Sequence, residues 1–182
     1  FGGRGSRGNG GAMRVASVGA YFADDPERAA VEARKSAIVT HFHPEGQAGA
    51  IAIAVACAWA VSHHNEGRDS LFNLVMSLTP SGETRDGIEQ ARGTTHELSP
   101  RSAASLLGNG SRVIAPDTVP FALWCASRHL DNYVEAMWST VEGLGDIDTN
   151  CAIVGGIVAL SAGESSIPPE WTQARESLLR TV

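Results

Sequence analysis

Apolar and small residues recur along this chain at helical spacing, and nowhere do they alternate with period two between hairpin turns. Ala29, Ala30, Ala33, Ala37 and Ile38 mark one small apolar face of a helix that runs to about Thr40. Asp24 or Asp25 can cap its start, and Pro26 fits its first turn. Residues 46–62 are nearly all Ala, Ile and Val, which predicts a helix without a polar face that other helices must surround. Further helices are predicted over 70–78, 84–91, 100–107, 119–129, 131–144, 149–162 and 169–180, separated by Gly, Pro and Asn. The expected fold is all-α, a compact bundle with functional loops between helices. Two stretches stand outside this pattern: the low-complexity opening over 2–11, and 79–95, whose Ser, Gly, Thr and charge read as a mobile excursion.

A length of 182 residues suits one domain over 1–182, large enough to bury roughly 70% of its unfolded surface. With 43% hydrophobic and 19% charged residues, wholesale disorder is excluded. Fourteen Lys and Arg face twenty Asp and Glu, and the net charge of −6 argues against nucleic acid or an anionic membrane as the general partner. The apolar run 48–61 is too short to span a bilayer, so no membrane span is expected. Cys57, Cys125 and Cys151 lie far apart in apolar surroundings, giving neither a disulfide framework nor a zinc set, as suits a reducing, cytoplasmic setting. The chain opens on Phe1 instead of Met and carries no charged-then-apolar leader, so it reads as starting within a longer protein.

Three segments can carry chemistry. Gly3-Arg4-Gly5-Ser6-Arg7-Gly8 matches the dinucleotide fingerprint letter for letter, but no strand can precede it, so the Rossmann reading fails. What survives is a Gly-rich backbone cradle with Arg4, Arg7 and Arg14 nearby, suited to a phosphate or diphosphate, against the alternative of a merely flexible loop. Asp146-Ile147-Asp148-Thr149 puts two carboxylates and a hydroxyl at a helix start. Such hard oxygen ligands suit Mg²⁺ or Mn²⁺, while the same residues also serve as an ordinary N-cap. Thr40-His41-Phe42-His43-Pro44-Glu45-Gly46 sits at a helix junction whose spacing does not complete a zinc site; hydrogen bonding or capping is the expected role of its histidines. Trp59, Trp124, Trp138 and Trp171 are expected to be packing residues.

Taken in order, Gly5-Ser6-Arg7-Gly8-Asn9-Gly10-Gly11-Ala12-Met13-Arg14, Thr40-His41, Leu107-Gly108-Asn109-Gly110 with Thr118-Val119-Pro120, and Gly145-Asp146-Ile147-Asp148-Thr149 with Ala152-Ile153-Val154-Gly155-Gly156 resemble the ADP-ribosylglycohydrolase family. Members of that family include the hydrolase that reactivates ADP-ribosylated dinitrogenase reductase. The resemblance implies an all-α fold with a binuclear magnesium centre in a cleft. It also implies hydrolysis of the bond joining ADP-ribose to a protein side chain or a related small conjugate. By matching positions, Asp146, Asp148 and Thr149 would be metal ligands; Gly5, Ser6, Gly8, Asn9 and Gly10 would line the diphosphate and ribose; His41 would hydrogen-bond near the diphosphate or distal ribose. Phe1 would correspond to an aromatic residue that stacks on adenine, and Leu107 to Gly110 would form a turn and C-cap. Arg7 stands where the family varies and where some members touch the ligand. Nothing in the chain matches the family's amino-terminal acidic residue or its Thr-Asp-Asp-Thr motif, so no general base is assigned. The amino-terminal part of the domain is therefore expected to be absent from this chain, and a catalytically silent ADP-ribose-binding module is the alternative reading.

Overall fold

The computed structural model describes residues 5–176. Its helices are α1 (Gly10–Met13), α2 (Ala16–Tyr21), α3 (Pro26–Ile38), α4 (Pro44–Ser62), α5 (Arg68–Leu78), α6 (Glu83–Gly93), α7 (Pro100–Leu107), α8 (Ala115–Arg128), α9 (Tyr133–Glu142), α10 (Ile147–Ala162) and α11 (Pro169–Ala174). Among the described residues there is no strand, and Gly8 and Ile114 make one isolated antiparallel bridge. The all-α expectation holds.

α4 is the axis of the core. Every residue from 45 to 60 is buried, because α1, α2, α3, α5, α8 and α10 all pack on it. By length and composition it could cross a membrane; its lack of a polar face is met here by neighbouring helices. Its own Ile53 and Trp59 are fully buried, as are Phe72 of α5 and Phe121 and Trp124 of α8. Helix starts follow local chemistry. Asp25 accepts the Arg28 N–H at 2.9 Å to start α3, and His43 Nδ1 accepts the Glu45 N–H at 3.1 Å to start α4, each with Pro in the first turn.

Four expectations are corrected. The opening and the residues after it hold α1 and α2, hidden in the sequence by glycines that serve close approach to α4. The stretch 79–95 is packed: α6 buries Thr84, Ile88 and Ala91 and lies against α8 where a Cβ on Gly87 would come within 2.6 Å of Pro120 Cγ. α8 starts at Ala115 instead of 119, because Pro116 opens it and Pro120 sits inside its second turn. Trp138 is 55% exposed and Trp171 37%, so only Trp59 and Trp124 are core residues; Trp171 rests edge-on against Tyr133. The last helix is described only over Pro169–Ala174, and its expected continuation beyond 176 lies outside the described residues, as do Phe1, Gly3 and Arg4.

Candidate functional site

Ser6, Arg7, Gly8, Asn9, Gly10, Met13, His41, Arg112, Val113, Ile114, Asp146 and Thr149 line one open cavity of about 650 Å³. Four segments remote in sequence build it: the Gly-rich loop and α1, the junction between α3 and α4, the loop entering α8, and the start of α10. The loop is held by backbone, with the Ala115 N–H donating to Arg7 O at 3.0 Å beside the Gly8–Ile114 bridge, and Ser6 Oγ accepting the Gly8 N–H at 3.1 Å. Gly5 lies behind this cavity: its φ is 77°, and a Cβ there would press on Phe42 and the His43 amide.

His41 faces the loop. A Cβ on Gly8 or Gly10 would lie 3.2 or 3.0 Å from its Nε2, so these glycines leave the imidazole edge open. Its Nδ1 is 2.8 Å from Thr40 Oγ1, which itself accepts from Arg14 at 2.7 Å. The Thr40 hydroxyl hydrogen is thus free to point at Nδ1. Burial, then Arg14, pulls the His41 pKa below its ordinary 6.5, so the ring is neutral near pH 7. In the tautomer whose Nδ1 accepts from Thr40, the ring hydrogen is on Nε2, on the side of the glycine loop.

Asn9 joins the two halves. Its buried amide donates to Asp146 Oδ2 at 2.7 Å and to Thr118 Oγ1 at 3.0 Å. The sequence suggested that Asn9 contacts ligand; the fold turns its amide into the wall, where it orients a carboxylate. Asn109, read only as part of a turn, is the second organiser. Its carbonyl accepts the Asp146 N–H at 3.1 Å and Asn150 Nδ2 at 2.7 Å, while its own amide donates to Gly143 O at 3.1 Å. Gly110, with φ 85°, completes this turn, because a Cβ there would sit 2.6 Å from Asp146 Cβ. The only hint of these links in the sequence is an Asn flanked by glycines in each loop.

Asp146 and Thr149 therefore face the cavity, Thr149 buried with its hydroxyl 3.6 Å from Met13 Sδ. Asp148 is exposed beside them and outside the cavity lining. A hydrogen bond with the Asp146 side chain, then the Thr149 and Asp148 amides, hold its carboxyl below the usual value. Two adjoining carboxylates and a hydroxyl are hard oxygen donors of the kind a magnesium ion takes, so this half of the donor set fits the metal. Among the described residues no group of three His, Cys, Asp or Glu side chains could hold a metal ion. Arg7 does not enter the cavity as a free cation: it pairs with Glu83 at the start of α6 at 2.5 Å.

The fold thus sets the glycine-rich loop and the carboxylate-bearing start of α10 on one cavity of an all-α domain. The sequence model of the ADP-ribosylglycohydrolase family matches residues 1–181, and the chain belongs to that family. It is 27% identical over 212 residues to the ADP-ribosylhydrolase ARH3 of Bos taurus and equally to that of Homo sapiens, alignments that cover 100% of this chain and 57% of each relative. Identity to ADP-ribosylhydrolase ARH3 of Mus musculus is 28% over 213 residues, with 56% of that relative covered. The chain thus spans a little over half the length of these curated relatives.

Proposed function

We propose that the protein releases ADP-ribose from an ADP-ribosylated protein side chain or a related small ADP-ribosyl conjugate, in a cytoplasmic setting and with magnesium as its metal. The observation that carries this reading is the hydrogen bond from Asn9 to Asp146, which brings the glycine cradle and the carboxylate-bearing start of α10 into one cavity. The backbone of Ser6 to Gly10 would cradle the diphosphate, and the His41 Nε2–H would donate to it or to the distal ribose. Asp146, Asp148 and Thr149 would hold one part of a two-ion magnesium centre, which manganese could replace. Such a metal supplies orientation of ribose hydroxyls and polarisation of water. Hydrolysis joins the water oxygen to the anomeric carbon as the bond to the side chain breaks, and the proton leaves with that side chain. The chain's own part is placement: Asn9 and Asn109 fix Asp146 so that the reacting carbon and the carboxylates meet without searching.

Substituting Asn for both Asp146 and Asp148, with folding verified by circular dichroism, is expected to abolish magnesium-dependent release of ADP-ribose by the full-length protein. Unchanged turnover overturns the assignment. A second reading, binding of ADP-ribose without turnover, is favoured by the incomplete donor set among the described residues. Calorimetry with ADP-ribose alongside the release assay separates the two, since heat of binding without product supports the silent module.

A further inference from the structure

A second cavity of about 470 Å³ opens on the far side of Asn109, and Arg112 lines both it and the first cavity. Its lining includes Gly143 and Leu144, which lead into Asp146, but no residue of the glycine cradle and not His41. It therefore adjoins the start of α10 through Gly143 and Leu144, and meets the first cavity at Arg112, two residues before the Gly8–Ile114 bridge.

Its charge is unlike that of the molecule. The chain carries a net charge of −6, yet Arg101 and Arg112 both line this cavity, both are exposed, and among the described residues neither is in an ion pair. The one carboxylate here, Asp117, is engaged by backbone: its Oδ2 accepts the Arg112 N–H at 2.9 Å. Ser105 and Ser111 add hydroxyls.

Val113 (φ 55°) and Leu144 (φ 57°) are the non-glycine residues with positive φ among those described; Leu144 lines this cavity, and Val113, next to Arg112, lines the first. Val113, being β-branched, is strained in that conformation. The Val113 N–H donates to Gly110 O at 2.7 Å, a tight turn that carries Arg112 at the junction of the cavities.

We propose that this second cavity receives the polypeptide side of the scissile bond, and that Arg101 and Arg112 select an acidic side chain next to the ADP-ribosylated residue. The inference rests on the function proposed above. With ADP-ribose in the first cavity, the departing polypeptide passes Arg112, and a flanking carboxylate meets two guanidinium groups whose planar donors match it.

The test uses the full-length protein with magnesium and two peptides bearing the same ADP-ribosylated side chain, one flanked by Asp and one by Asn. The Asp peptide is expected to be cleaved with about tenfold higher kcat/KM, the scale of one charge-assisted hydrogen bond. In Arg101→Ala and Arg112→Ala the ratio of the two peptides is expected to fall to near one. Because the ratio is taken within each variant, a general loss of activity does not mimic the effect. A ratio near one in the unaltered protein, or a ratio that survives both substitutions, overturns the inference. If neither peptide is cleaved, the proposed hydrolysis fails, and the ratio of Kd values for the same peptides by calorimetry decides this inference separately.

Discussion

The single residue with the most consequential environment away from the cleft is His96. It sits edge-on to Trp124 with Nε2 3.3 Å from Ser127 Oγ. Burial foremost, then Arg68, Arg128 and His129, push its pKa down to about 4. The folded value lies below the unfolded value of about 6.5, so on acidification the unfolded chain takes up the proton first. Stability from this group is complete above pH about 6.5 and is lost progressively down to about 4, where the ring charges in the folded state too. His96→Gln is expected to flatten that part of the Tm-against-pH curve; superimposable curves for the two proteins would exclude the effect. His41 shows how far the sequence can be read at this scale. That Thr40-His41 belongs to a polar junction is legible, whereas the half-buried ring and its link through Thr40 to Arg14, 26 positions away, are set by the fold.

Among elements, the helices whose Pro or capping residue announces the first turn were legible with little error: α3, α4 and α7 begin at Pro26, Pro44 and Pro100. Those whose signals conflict were not. Glycine normally argues against helix, so α1 and α2 were masked, and Pro120 resembled a helix start although α8 runs through it. α6, expected over 84–91 and found over Glu83–Gly93, was legible as a helix, but its anchor was not, because that is a residue of another helix. Glu45, buried at the start of α4, accepts the N–H groups of Glu83 and Thr84 at 3.0 and 2.8 Å and the Thr84 hydroxyl at 2.6 Å. A carboxylate at a helix start satisfies donors that would otherwise be orphaned and meets the favourable end of the helix dipole. Glu45→Ala is expected to lower unfolding stability by about 2–3 kcal/mol, and Glu45→Gln by about 1, in urea titrations. Equal stability of all three would show that the cap contributes nothing.

At the scale of the molecule, the cleft is a meeting of segments that the sequence places far apart. Asp146-Ile147-Asp148-Thr149 was recognisable because its chemistry is consecutive, and the glycine cradle because its composition is extreme. Their encounter was not, since no local rule says which loops touch. Asn9 carries that encounter, and its loss removes two buried bonds and a partner of Asp146. Asn9→Ala is expected to cost about 1–3 kcal/mol of stability and to weaken ADP-ribose binding, read by urea titration and calorimetry. Loss of stability with unaltered affinity would make Asn9 a packing residue alone.

The same bond has a consequence for birth of the protein. Asn9 leaves the ribosome 137 residues before Asp146 does, an interval of roughly 7–27 s at elongation rates of about 5–20 residues per second. Within that interval Ala115 arrives to hold Arg7 and Thr118 to accept from the Asn9 amide, both before Asp146 arrives as its second acceptor. A nascent chain interrupted before α10 therefore has the glycine loop anchored on one side, by Ile114, Ala115 and Thr118, and lacks the Asp146 carboxylate that faces it across the cleft.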